Sequence, residues 1–191
     1  MRKTIILIFG VIILQLNFSC KSQYSVTELD NNFTTEQISD LNKITSFFKN
    51  QVCLNTNADF KKCYRQIPHE YLEATGSGFW DSITFEKQQE LYREISESTF
   101  NEIWCLCRAE LKNICAITKG KYQKYLTELG KTNPVIAKYA KNILASGIFD
   151  FGKVIHYSNV INDKKHFDLN DPNIQLILAI HYLSKDKLIT E

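Results

Sequence analysis

Apolar residues recur three or four positions apart along most of this chain. The first run is Ile38, Leu41, Ile44, Phe48 and Val52, the spacing that lines one face of a helix. Thr34 with Gln37 three places on has the capping-box form that starts such a helix, and Asn55-Thr56-Asn57 breaks it. A second, short helix over 58–66 carries Phe60, Cys63 and Tyr64, with Ile67 just beyond, and Pro68 ends it because proline lacks the amide hydrogen a helix needs. Gly76-Ser77-Gly78 reads as a turn. Ser82 or Thr84 caps a third helix, with Phe85, Leu91 and Ile95 inward and Glu86, Lys87, Glu90, Arg93, Glu94 and Glu97 outward,. From Ile103 to Ile117 the period changes. Trp104 and Leu106, then Ile114 and Ala116, alternate about a polar middle, which suggests a short β-hairpin although a helix fits the same residues.

Helical spacing returns after Lys119-Gly120. Tyr122, Tyr125, Leu126 and Leu129 end at Gly130, a residue type suited to the position after a helix. Asn133-Pro134 supplies a cap followed by proline in the first helical position, ahead of Val135, Tyr139, Ile143 and Leu144, and Gly147 closes the run. Asp171-Pro172 repeats that start signal before Ile174, Ile177, Leu178, His181 and Tyr182. No internal repeat or low-complexity segment interrupts the pattern. The fold class is mainly α, an irregular bundle of about five to seven helices with one small β-hairpin near 103–117. Residues 34–191 form a single domain, and the mostly polar, aperiodic 20–33 forms a flexible tether ahead of it.

Residues 1–19 do not belong to that domain. Arg2 and Lys3 precede an apolar run from Ile5 to Leu16, then Asn17-Phe18-Ser19-Cys20. The run is shorter than the roughly 20 residues a spanning helix requires, and the order of basic, apolar and small residues is that of a secretory signal. A cysteine directly after the small residue resembles the lipobox of bacterial lipoprotein precursors. That resemblance implies cleavage before Cys20, acylation of its thiol (palmitate among the acyl chains), and a membrane anchor outside the cytoplasm. Similarity to lipoprotein sorting, in which Lys21-Ser22-Gln23 offers neither an aspartate retention signal nor an acidic export run, implies a cell-envelope anchor facing the periplasm.

Charge narrows the partners. The chain has 23 basic and 21 acidic side chains. Arg2 and Lys3 account for the whole excess, so the part after the signal is neutral overall, without the basic surplus of a nucleic-acid binder. The distribution is uneven, however. Residues 70–110 carry a net −6 and residues 112–165 a net +7. Either two solvated faces cancel within the fold, or a bipolar surface steers a charged partner. In the second case an exposed acidic stretch attracts a basic protein.

With Cys20 acylated, Cys53, Cys63, Cys105, Cys107 and Cys115 remain. In an oxidising compartment these read as two disulfides and one leftover thiol. The equal spacing within Cys53/Cys63 and Cys105/Cys115 is similar to that of the coiled-coil-helix-coiled-coil-helix proteins, and implies two helices laddered by two bridges. Local closure is the alternative: Cys53 meets Cys63 across the 55–57 turn, and Cys115 meets Cys107 or Cys105 across the hairpin. The pairing expected is Cys53–Cys63 and Cys107–Cys115, with Cys105 as the free thiol.

No catalytic signature emerges. His69-Glu70-Tyr71-Leu72-Glu73 begins like the H-E-x-x-H zinc motif, but Glu73 stands where the second histidine ligand must be,. Ser46 to Lys49 and Ser184 to Lys187 fit S-x-x-K without the accompanying S-D-N and K-T-G,. His156, His166, Asp168 and Asp171 could gather at a metal but read as a solvated loop, and His181 reads as a core residue. No catalytic residue, metal site or cofactor is therefore assigned, and the lipid-attachment residue is Cys20. The function expected is that of a lipid-anchored periplasmic binding protein, including an immunity or inhibitor protein, with the membrane as partner through its lipid and no nucleic acid. The alternatives are a cell-envelope hydrolase using Glu70, Glu73 and Asp81, and a structural subunit of an envelope complex.

Overall fold

The computed structural model describes residues 27–54, 58–68, 85–107, 114–149 and 151–184. Among them are nine α-helices: α1 (Thr27–Asn32), α2 (Thr35–Val52), α3 (Phe60–Gln66), α4 (Phe85–Glu94), α5 (Glu97–Ile103), α6 (Lys121–Leu129), α7 (Pro134–Ser146), α8 (Tyr157–Asn162) and α9 (Pro172–Leu183). Strands β1 (Trp104–Leu106) and β2 (Ile114–Ala116) form the one small antiparallel hairpin among the described residues, with Trp104 opposite Ala116 and Cys105 opposite Cys115. The mainly α class with a small hairpin is what the hydrophobic periodicity predicts. No helix among the described residues is long and apolar enough to cross a membrane.

Helix α9 lies at the centre. Apart from half-buried Gln175, every residue from Asn173 to Leu183 is buried, so this helix is apolar all round rather than along a stripe, as helices surrounded by others are. Each fully buried leucine or isoleucine there contributes about 1.5–3 kcal/mol through apolar area removed from water. Its main neighbour is α2, whose Leu41, Ile44, Phe48 and Val52 face inward. Phe48 stacks on Tyr182, with centroids 5.5 Å apart. Several polar groups of α9 find partners across the core. Tyr125 Oη donates to Asn173 Oδ1 at 2.9 Å, and Tyr64 and Tyr182 share a 2.7 Å hydroxyl contact. At the C-terminal end, where helical carbonyls lack intrahelical donors, Gln88 Nε2 and Tyr92 Oη both donate to Leu183 O, at 2.8 and 3.0 Å.

Three features depart from the sequence expectation. Residues 27–33, read as tether, instead form α1 and its end, and Leu29 and Phe33 are buried. Phe33 meets Tyr125 edge-on at 6.0 Å. Two apolar residues in a polar run suffice when a prepared hydrophobic surface receives them. The third helix, read as carrying Phe85 to Glu97, ends at Glu94, and Glu97 instead begins α5, which Ser96 caps by accepting from Thr99 N. Gly130 follows α6 in an ordinary right-handed conformation. Its lack of a side chain serves packing: a Cβ there would lie 2.9 Å from Ala137 Cα of α7. Gly147, by contrast, closes α7 at φ 69°, the left-handed region glycine favours,.

The disulfides join near neighbours. Cys53 at the end of α2 bridges Cys63 of α3, and Cys107 bridges Cys115 across the hairpin, leaving Cys105 free. Neither bridge ladders two long helices, so the twin-spacing resemblance does not hold.

Candidate functional site

The chain between α7 and α9 builds an open cleft of about 510 Å³, within the size range of ligand sites. After α7 ends at Gly147, a single 3₁₀ turn (Phe151–Lys153) places Gly152 and Lys153 in succession at φ 75° and 47°. A left-handed lysine is uncommon, because its Cβ crowds the backbone. Asn159 holds the turn from α8, its Nδ2 donating to Lys153 O at 3.2 Å and Val154 O at 3.3 Å. The floor is apolar, with Val154 and Phe167 buried. Lys138, Lys153, Asn159 and Asn162 stand on the exposed rim.

Charges in this cleft are unevenly satisfied. Asp163, also lining it, accepts from His166 Nδ1 at 2.8 and 2.9 Å. That hydrogen bond, against a small opposing effect of burial, holds its carboxyl below the usual carboxylate range. Among the described residues neither Lys138 nor Lys153 has a carboxylate partner. Lys141, one turn beyond Lys138 on α7 and so a surface neighbour, is exposed too, as are Lys164 and Lys165 after α8.

This arrangement bears on the two charged stretches. Eight of the ten lysines between 112 and 165 are exposed. Lys112 lies outside the described residues, and Lys121 pairs with Glu102 at 3.9 Å while donating to Gln37 Oε1 at 2.7 Å. That is the single ion pair joining the two stretches among the described residues. Among the described residues ion pairing between the two stretches is thus slight, and Lys138, Lys141, Lys153, Lys164 and Lys165 are exposed on or beside the elements that line the cleft.

The other titratable groups have structural duties, among them Asp40, which the sequence reading did not single out. Asp40 is buried on α2, and its Oδ2 accepts from Ser96 N, Ser96 Oγ and Thr99 Oγ1 at 2.8–2.9 Å, while Oδ1 accepts from Lys43 Nζ at 2.9 Å. Burial alone would raise its pKa; the hydrogen bonds from Lys43, Ser96 and Thr99 outweigh it and hold the group at about 2,. Asp171 caps α9 through Asn173 N, and burial lifts its carboxyl above the ordinary value against the pull of the Asn173 hydrogen bonds. His181 is fully buried with Nδ1 3.0 Å from Tyr139 Oη, and His156 Nδ1 lies 2.9 Å from Ser158 Oγ. Asp168 accepts from Asn170 N at 3.0 Å. No three His, Cys, Asp or Glu side chains among the described residues gather as metal ligands.

Of the S-x-x-K pairs, Ser46 is exposed on α2 with Lys49 half-buried one turn on. Ser184 is buried as the acceptor for Trp104 Nε1 at 2.7 Å, and Lys187 lies outside the described residues. So do Cys20, His69, Glu70, Glu73, Asp81 and the Gly76-Ser77-Gly78 turn. Sequence reading missed the cleft because residues 148–170 lack long apolar periodicity. The signal that was available is Phe151-Gly152-Lys153 ahead of a short apolar Val160 and Ile161 pair. The chain matches no protein-family model, no curated protein and no solved structure.

Proposed function

We propose that this is a lipid-anchored binding protein of the cell envelope, facing the periplasm, whose basic surface around the α7–α8 cleft docks an acidic protein partner. The observation that carries the reading is the pair of lysines on the cleft rim, Lys138 and Lys153, without carboxylate partners among the described residues. Positive charge without a carboxylate partner among the described residues, beside buried Val154 and Phe167, favours an anionic visitor,. The exposed lysines reach beyond the cleft, along α7 and past α8, which suits an extended partner better than a small molecule. An immunity or inhibitor protein blocking an acidic enzyme or toxin fits this description. The N-terminal run ending in Ser19-Cys20 and two disulfides of the kind that persist in oxidising compartments, support the location.

Two experiments test these parts separately. Poly-L-glutamate serves as a generic acidic chain: at low salt it is expected to bind, and the Lys138→Glu/Lys153→Glu double variant is expected to weaken binding by about tenfold, a difference that shrinks as salt screens the charges. Equal binding by the double variant would remove the cleft from the account. For the anchor, Cys20→Ala is expected to move the protein from the membrane fraction to the soluble one and to abolish incorporation of a fatty-acid analogue. Unchanged membrane retention in that variant counts against lipid attachment.

A further inference from the structure

We propose that Cys105, Cys107 and Cys115 form a thiol–disulfide exchange site, in which the bridge shifts from Cys107–Cys115 to Cys105–Cys115 and presents Cys107 as an exposed thiol to disulfide-bearing molecules.

The hairpin places three cysteines close together, one bridge and one free thiol. Cys105 stands directly opposite Cys115 in the antiparallel register, and cross-strand partners share one face of the sheet. Ile117 N donates to Ile103 O at 3.0 Å. Hydrogen-bonded and non-hydrogen-bonded pairs alternate along such a ladder, so Cys105 and Cys115, two positions on, are again a hydrogen-bonded pair with Cα atoms about 5.5 Å apart. A disulfide spans Cα separations of roughly 4.4–6.8 Å. The Cα atoms of Cys107 and Cys115, which carry the bridge, are 5.3 Å apart. Two cysteines therefore compete for Cys115 from similar distances.

Loop closure separates the two bridged forms little. The existing bridge closes a loop of sequence separation 8, and the alternative closes one only two residues longer. Loop closure distinguishes them by a factor of about 1.4. Exposure does distinguish the sulfurs: Cys105 is half-buried and Cys107 exposed. Exchange thus converts a partly sheltered thiol into an accessible one.

The step balances within the protein. Cys105, as thiolate, attacks Sγ of Cys115; the Cys105–Cys115 bond forms as the Cys107–Cys115 bond breaks. The electron pair leaves on Cys107 Sγ, which takes up the proton Cys105 lost. No oxidant or reductant is consumed. The Cys107 thiolate can then attack a disulfide R–S–S–R, giving Cys107–S–S–R and releasing RS⁻, with the disulfide as the named co-reactant.

The test uses the folded, unreduced full chain incubated with N-ethylmaleimide, followed by acid quenching, digestion and mapping by mass spectrometry. A fraction of molecules is expected to carry the label on Cys107 together with a Cys105–Cys115 bridge, and Cys105→Ser is expected to abolish labelling of Cys107. Cystine in place of maleimide should leave its mixed disulfide on Cys107. In Cys107→Ser, Cys115 is expected to bridge to Cys105, so neither labels. Label confined to Cys105 or absent from Cys107 in the parent chain overturns the proposal. Cys107 labelled equally in Cys105→Ser does so as well, since that would mean an incompletely formed bridge rather than exchange.

Discussion

Trp104→Ala is expected to lower the free energy of unfolding by about 3–5 kcal/mol, the range for deleting a fully buried aromatic side chain and leaving a cavity. Trp104 is 0% exposed and sits where three parts of the fold meet. Its ring lies 5.4 Å from both Tyr92 of α4 and Phe100 of α5, and its Nε1 donates to Ser184 at the end of α9. Truncation removes the packing and leaves Ser184 Oγ without its donor, although that hydroxyl still donates to Ile180 O. Trp104→Phe keeps much of the volume and should lose less. As a control, Leu144→Ala at an exposed position should stay within about 0.5 kcal/mol. Denaturant titration followed by far-UV circular dichroism measures all three. A loss no greater for Trp104→Ala than for Leu144→Ala would contradict the placement of the indole.

The second large effect centres on Asp40. Asp40→Ala should cost about 2–4 kcal/mol, because it leaves Ser96 N and the buried Thr99 Oγ1 without their acceptor,. The same carboxylate gives stability a defined pH dependence. Its folded pKa is about 2 against a reference of 3.8, so the unfolded chain binds the proton more readily. The stabilisation is fully present above 3.8 and fades as pH falls through 3.8 towards 2, amounting to about 2 kcal/mol from this one group,. Asp171 acts with the opposite sign: its pKa is raised by burial, so its contribution is present below the reference value of 3.8 and lost as pH rises through the folded value. Comparing the parent with Asp40→Asn separates the two. The parent's stability should drop more steeply with acid than the variant's, and parallel curves would show that Asp40 is not the buried anchor of α5.

Local signals located most of the helices. Thr34 with Gln37, Asn133-Pro134 and Asp171-Pro172 each stand at the observed start of a helix, because caps satisfy backbone groups within a few residues of themselves. Gly147 ends α7 for an equally local reason, its positive φ. The hairpin could be read from alternation about Trp104 and Ala116, and the two disulfides fit a chain whose cysteines lie near one another in sequence. These are short-range matters, decided by residues that meet before the chain has folded.

The rest depended on distant contacts. A five-residue stripe suggested an amphipathic final helix, yet α9 is buried nearly all round, since only packing from several sides reveals which helix is central. Residues 27–33 looked like a tether until Leu29 and Phe33 found the core. Asp40 sits on the inner side of α2 as a charged residue whose partners other than Lys43 lie 56–59 positions away, beyond any periodicity. The cleft arises where a left-handed turn and a short helix that carry almost no pattern meet α7. Sequence by itself determined the helical class, the helix starts after Thr34, Asn133 and Asp171 and the cysteine neighbourhoods, because those follow from local backbone and spacing rules. Which helix is the centre, which charges are consumed and which stay available were decided by the tertiary structure, because burial and pairing belong to residues brought together only by folding.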